Sequence, residues 1–203
     1  MPRVLIDIKG QDFRRPDHDI QHFFVNRWSP RAMTGEEIAR EELMRMFEAA
    51  RWAMSSFNNQ SWRFLYALRN TPHWETFFNL LVPGNQVWCR NAAALLVVVS
   101  KTTFDHNGKP ARTHSYDTGA AWFSFALQGV MMGLVVHGMQ GFNYDKAKED
   151  LGVPDDHQVE AMIAVGRPGA PEDLPLGLQE REQPSLRKKV DAFAFEGGFG
   201  KAG

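Results

Sequence analysis

Three polar clusters carry the side chains best suited to chemistry in this 203-residue chain. In "NRWSPR", Arg27, Ser29 and Arg31 stand at alternate positions, so an extended backbone turns all three to one side. Two guanidiniums and a hydroxyl suit a phosphate, because each guanidinium presents several N–H donors in a fixed fork. The same residues also read as a solvated basic turn ahead of a helix. In "SSFNNQSW", Ser55, Ser56, Asn58, Asn59 and Gln60 offer hydroxyls and amides that donate and accept, which matches a heterocycle with mixed N–H and C=O edges. Asn and Ser equally favour helix ends and turns, so the plain alternative is a helix stop. In "PSLRKK", Arg187, Lys188 and Lys189 form a basic patch that either meets an anion or is simply solvated.

Other chemistries lack their residues. Of seven histidines only His18 and His22 stand at i, i+4 spacing, without the H-E-x-x-H context of a zinc site. The single Cys89 supplies neither a disulfide nor a thiolate cluster, and reads as a small buried apolar residue. No G-x-S-x-G, G-x-x-x-x-G-K-[ST] or G-x-G-x-x-G occurs, so a hydrolase elbow and the common nucleotide cradles are unsupported. The formal charge is −1, from 23 Lys+Arg against 24 Asp+Glu, so no global field draws the chain to nucleic acid or an acidic membrane. The N-terminus breaks into charge within its first residues and has no signal-peptide core, which makes the cytoplasm the expected location.

These clusters must be positioned by the elements between them. The spacing of Ile38, Leu43, Met46, Phe47 and Ala50 predicts a helix over 34–53, with Thr34 as its cap. "WRFLYALRN" alternates as a strand, and a short helix follows Pro72 until "VPGN" turns. "AALLVVVSK" has the composition of a central strand buried on both faces. A polar loop then leads to the apolar run Thr118 to Val136, which carries Gln128 and three glycines and reads as a buried core or dimer helix, not a membrane span. "GMQGFN" breaks that pattern, "DKAKEDLGVP" reads as a short amphipathic helix, and "VEAMIAVGRPG" as a second buried strand. The Pro- and Gly-punctuated remainder reads as an extended arm. Helices around a few-stranded sheet define an α+β domain.

In this order the clusters resemble the FMN-dependent nitroreductase family. The resemblance rests on "RWSPR" (27–31), "MSSFNNQSW" (54–62), "GMQGF" (138–142) after the apolar helix, and "SLRK" (185–188), and covers roughly residues 24–190. It implies a three-layer sandwich with a mixed, mainly antiparallel sheet surrounded by helices, and a C-terminal arm that embraces a second subunit. The implied division is an N-terminal extension over 1–24, an FMN-binding domain over 25–190 and a tail over 191–203. The implied FMN contacts are Arg27, Trp28, Ser29, Arg31, Arg187 and Lys188, then Gly138, Met139, Gln140 and Gly141 along the ring. Ser55, Ser56, Asn58 and Gln60 would reach the flavin from the other subunit of a homodimer. A backbone N–H of Gln140 or Gly141 would face N5, where hydride arrives and leaves.

The implied activity is ping-pong hydride transfer from NADH or NADPH through FMN to a small flat acceptor, such as a nitroaromatic, quinone or enone. The cofactor carries that chemistry, so no catalytic acid or base is named. A flavin-storing protein without turnover is the alternative. Trp122, Phe123, Phe104 and Phe142 could line an acceptor pocket or belong to the core. Met54 and Ser61 stand where the family usually has proline, Gln140 where some members have an acid, and Ser185 where some have lysine. The phosphate side therefore has one charge fewer unless Lys188 substitutes.

Overall fold

The structure is a computed structural model that describes residues 10–200; the charged start of the chain (1–9) and the end of the tail (201–203) lie outside the described residues. Its centre is a four-stranded sheet in the order β1-β2-β4-β3, formed by β1 (Trp62–Leu68), β2 (Ala94–Lys101), β3 (Val135–Met139) and β4 (His157–Gly166). Every pairing among these strands is antiparallel. β2 is buried along almost its whole length, as its unbroken apolar sequence requires, because both of its faces are covered.

Alternation along β2 and β4 sends side chains into two separate cores. Leu96, Val98, Ile163 and Val165 meet Leu43, Met46 and Phe125 from α2 (Arg40–Arg51) and α5 (His114–Met131). Leu95, Val97, Met162 and Ala164 meet Phe77, Trp88 and Ala147 from α3 (Trp74–Phe78), α4 (Pro83–Cys89) and α6 (Tyr144–Asp150). Helices, sheet and helices make the three layers of an α+β fold. Two short helices flank this body, α1 (His22–Asn26) before it and α7 (Leu176–Gln179) on the arm.

Several boundaries differ from the sequence expectation. The helix expected from Thr34 begins at Arg40, because residues 33–35 are engaged elsewhere. Met33 bridges Pro168, the Thr34 N–H donates to Arg167 O, and Gly35 turns at φ 83°. Thr34 accepts only from the Glu36 N–H, and the cap role passes to Glu42, whose carboxylate accepts the Ala39 N–H at 2.9 Å. "VPGN" is no isolated turn: Pro83 starts α4 at a position where a missing N–H costs nothing.

The largest correction concerns the apolar run. α5 stops at Met131, and the following residues become edge strand β3. Gly133 takes φ 76°, and the Leu134 N–H returns to Gly129 O at 2.9 Å, the closure of a left-handed helix terminus. Hydropathy is continuous across this stop, so only the glycine marks it. Gly138 and Met139, expected in a break, are the end of β3 and pair with Ile163 and Met162.

Candidate functional site

Arg27, Ser29 and Arg31 follow α1 on an extended segment, beside the exposed end of β3. Three linked cavities meet there. A polar one of about 340 Å³ is walled by Arg14, Trp28, Ser29, Arg31, His137 and Arg187, among others. A second, of about 370 Å³, shares Ser29 and passes Arg27, Trp122 and Phe123 to reach Gly138, Met139 and Gln140. A third, of about 600 Å³, is largely apolar and lies between the N-terminal extension and the arm, with Phe24, Arg27, Phe123, Arg187 and Lys188 in its walls.

The charges here are unevenly compensated. Arg31 lies 3.6 Å from the buried carboxylate of Glu182, which also accepts the N–H groups of Arg31 at 2.5 Å and Ala32 at 2.9 Å. That carboxylate staples the arm to the Arg27–Arg31 segment and leaves Arg31 neutralised. Arg27 has no such partner: among the described salt bridges none involves Arg14, Arg27 or Arg187. Burial depresses the Arg27 pKa below the usual arginine range, and the charge of Arg187 adds to that shift. Asp17 shares the third cavity but accepts the Val190 N–H, and positive charges held together without a salt bridge suit an anion.

His137, on β3, points the other way chemically. Its Nδ1 lies 2.9 Å from Pro30 O, and its ring is 4.7 Å from that of Trp88. Burial pushes its pKa down to about 4, against the pull of the Pro30 carbonyl and with help from Arg31. The imidazole is therefore neutral at pH 7 and donates to that carbonyl.

Backbone lines the other wall. A Cβ on Gly138 would come within 2.8 Å of Trp122, and one on Gly141 within 2.6 Å of Asn85 Nδ2, so these two positions have no room for a side chain. The Gly141 carbonyl is held by the Val82 N–H at 3.1 Å and Asn85 Nδ2 at 3.0 Å. Among the described residues, the N–H groups of Gln140 and Gly141 donate to no backbone carbonyl outside the strands. Free donors on a glycine-bordered wall suit the edge of a flat heterocycle. An elongated ligand with an anionic end and an aromatic ring, as FMN is, fits such a set of walls.

The Ser55–Gln60 cluster lies apart. It follows α2 and borders a separate depression of about 400 Å³ with Phe57, Asn59, Arg63 and His106, and shares no wall residue with the other three. Phe57, Asn58 and Gln60 all take positive φ, near 50°, a region that non-glycine residues seldom occupy. Buried Asn59 holds this backbone: its Nδ2 donates to Ser61 Oγ at 2.9 Å and Thr103 O at 3.2 Å, and its Oδ1 accepts the Asp105 N–H at 2.9 Å. The Ser56 N–H donates to Asp117 Oδ2, and Ser55 Oγ accepts the Gln60 N–H. Turn and polar display are thus one object.

Of the aromatic candidates, Trp122 and Phe123 line the second cavity, Phe104 packs edge-on against Phe57 at 5.5 Å, and Phe142 is buried in the core. Sequence reasoning did not single out Arg14, Glu182 or His137 as members of the site. Glu182 lies 151 residues from Arg31, Arg14 meets Ser185 from 171 residues away, and His137 stood at the edge of what read as helix. No local spacing signals them. Among the described residues, no group of His, Cys, Asp and Glu is placed to hold a metal ion, and no helix is long and apolar enough to cross a membrane.

A three-layer α+β chain with cavities at a glycine-bordered strand end is a small-molecule-binding fold. Comparison with known proteins identifies which: the profile of the Nitroreductase family matches residues 25–167, and the chain belongs to that family. A solved structure described as an oxidoreductase containing FMN is 44% identical and covers 92% of this chain and 96% of its own, with TM-score 0.88. A putative nitroreductase in complex with FMN, from Desulfovibrio desulfuricans, shares the fold at 22% identity and TM-score 0.68, over 87% of this chain and 95% of its own. An uncharacterized 15.4 kDa protein in the ask 5' region of Mycolicibacterium smegmatis is 31% identical over 126 residues, 62% of this chain and 83% of that protein.

Proposed function

We propose that this chain is an FMN-dependent oxidoreductase of the cytoplasm, acting as a homodimer that takes electrons from NADH or NADPH and delivers them to a small flat organic acceptor. The observation that carries this reading is the linked cavity, with uncompensated arginines at one end and the Gly138–Gln140 strand end beside Trp122 and Phe123 at the other. The FMN-containing relative at 44% identity supports the choice of flavin.

When bound, FMN would supply reversible hydride transfer at N5, serving a nicotinamide donor and an acceptor in turn by a ping-pong scheme. The protein's part is placement. Arg27 and Arg187 would hold the phosphate, with Lys188 on the rim, and Ser29 the ribityl hydroxyls. Arg31, charge-shared with Glu182, and Trp28 would border the ring system. The glycine-bordered Gly138–Gly141 stretch admits a flat ring at close range, and its free N–H groups are available as donors. Trp122 and Phe123 would line the pocket for a flat acceptor. In one chain Ser55, Ser56, Asn58 and Gln60 lie apart from these walls, so a second copy is the natural source of that cluster. A single FMN-binding domain over 25–190 accommodates all of these residues.

An anaerobic titration of the purified protein tests this. The protein should be yellow, bleach with NADH or NADPH, and regain colour with nitroaromatics, quinones or enones. Bleaching without reoxidation by any acceptor would favour a flavin-storing protein. A colourless protein whose melting temperature does not move with FMN sinks the flavin reading.

A further inference from the structure

Arg14 lies outside the region matched to the family, in the N-terminal extension, yet it is 8% exposed. The extension is fastened in place: the Gln11 N–H donates to Asn26 Oδ1 at 3.0 Å, and Gly10 lies so close to Val25 that a Cβ there would fall 2.0 Å from its carbonyl oxygen. From this anchorage the Arg14 guanidinium joins two segments, 25–27 and the C-terminal arm. Its Nη1 donates to Val25 O at 2.7 Å and Arg27 O at 2.8 Å, and its Nε to Ser185 O at 2.9 Å. Its Nη2 is buried and has no partner among the described residues. An orphaned guanidinium nitrogen is costly, and most such groups in folded proteins find an acceptor.

A structural strut joining three carbonyls would account for the bonded nitrogens alone. It does not account for the company Arg14 keeps. The residue lies in the walls of both the polar and the apolar cavity, as Arg187 does, and Arg27 borders the latter. Burial lowers the Arg14 pKa, and Arg187 and then Arg27 lower it further, which is the response of cations facing one another without an anion between them. A strut would be more stable away from two further positive charges.

We propose that Arg14 completes, with Arg27 and Arg187, a three-arginine receptor for the phosphate monoester of the bound flavin, so that the N-terminal extension is part of the cofactor site. This rests on the flavin reading above for the identity of the ester. It assigns the extension a ligand-binding role, and it supplies a cation where Ser185 supplies none, because the Arg14 Nε is bonded to the carbonyl of Ser185 itself.

The test compares FMN with riboflavin, which has the same ring but no phosphate, by flavin fluorescence titration of the flavin-stripped full chain. Arg14→Gln should weaken FMN about ten- to a hundredfold, the range of a hydrogen bond to a charged group, and change riboflavin less than about twofold. Arg14→Lys should fall between. Equal loss for both flavins reveals a purely structural role and overturns the proposal, as does unchanged FMN affinity. Circular dichroism checks that the variants fold. If Arg14→Gln does not fold, Arg14→Lys decides alone, by weakening FMN selectively or not. A wild type that binds neither flavin refutes the proposed function separately. In that case, a melting temperature raised by inorganic phosphate in wild type but not in the folded Arg14 variant supports the receptor, and no rise in wild type overturns it.

Discussion

Arg27 is half-buried beside Arg187 and makes no salt bridge among the described residues, and an anion bound there replaces repulsion with charge-assisted hydrogen bonds. Arg27→Ala should therefore weaken FMN by about 1.5–3 kcal/mol in an equilibrium titration, and unchanged affinity would remove the residue from the site. His137 yields a prediction of a different kind. Its folded pKa, about 4, lies below the ordinary 6.5, so between those values the unfolded chain binds more protons than the folded one. The contribution is complete above pH 6.5 and is lost as pH falls towards 4, by at most about 3 kcal/mol at 1.36 kcal/mol per unit. Urea midpoints at pH 7.5 and 4.5 should drop further for wild type than for His137→Asn; equal drops would show that the imidazole does not titrate in this way.

The 55–60 loop joins α2 to β1 with three non-glycine residues in the left-handed region. Such a backbone persists only when its surroundings over-determine it, and the three hydrogen bonds of Asn59 do so here. Asn59→Ala should lower stability by about 2 kcal/mol, seen as a lower melting temperature. A variant that melts with wild type would mean that the loop's shape comes from elsewhere. The stop of α5 has a comparably local cause. Gly129 packs where a Cβ would fall 2.5 Å from both Met46 and Val136, so the helix crosses the core closely just before Gly133 ends it.

Well-exposed apolar side chains fall in two groups, Trp52, Met54, Phe57, Tyr116 and Met131 around α2, the 55–60 loop and α5, and Leu176, Leu186, Phe193 and Phe199 on the C-terminal arm. A second copy would cover such groups and bring Ser55–Gln60 to the cavities of its partner. Light scattering at micromolar concentration should then give twice 23.1 kDa. A mass of one chain would sink the homodimer and leave the 55–60 cluster without a role in the flavin site.

Elements whose signals are local were legible in the chain. β1, β2 and β4 follow from alternation and unbroken apolar runs, and α2 from its three-to-four spacing. Arg27, Ser29 and Arg31, with the glycines at 138 and 141, stood out because donors and small residues at short spacing are visible in any linear reading. Where α5 ends was nearly invisible, since apolar helix and buried edge strand share one composition and differ only at Gly133. The compensation of Arg31 by Glu182, the neutral His137 and the burial of Arg14 were decided by tertiary structure alone. Each depends on groups far apart in the chain meeting in a space that excludes water, and charge and protonation respond to that meeting.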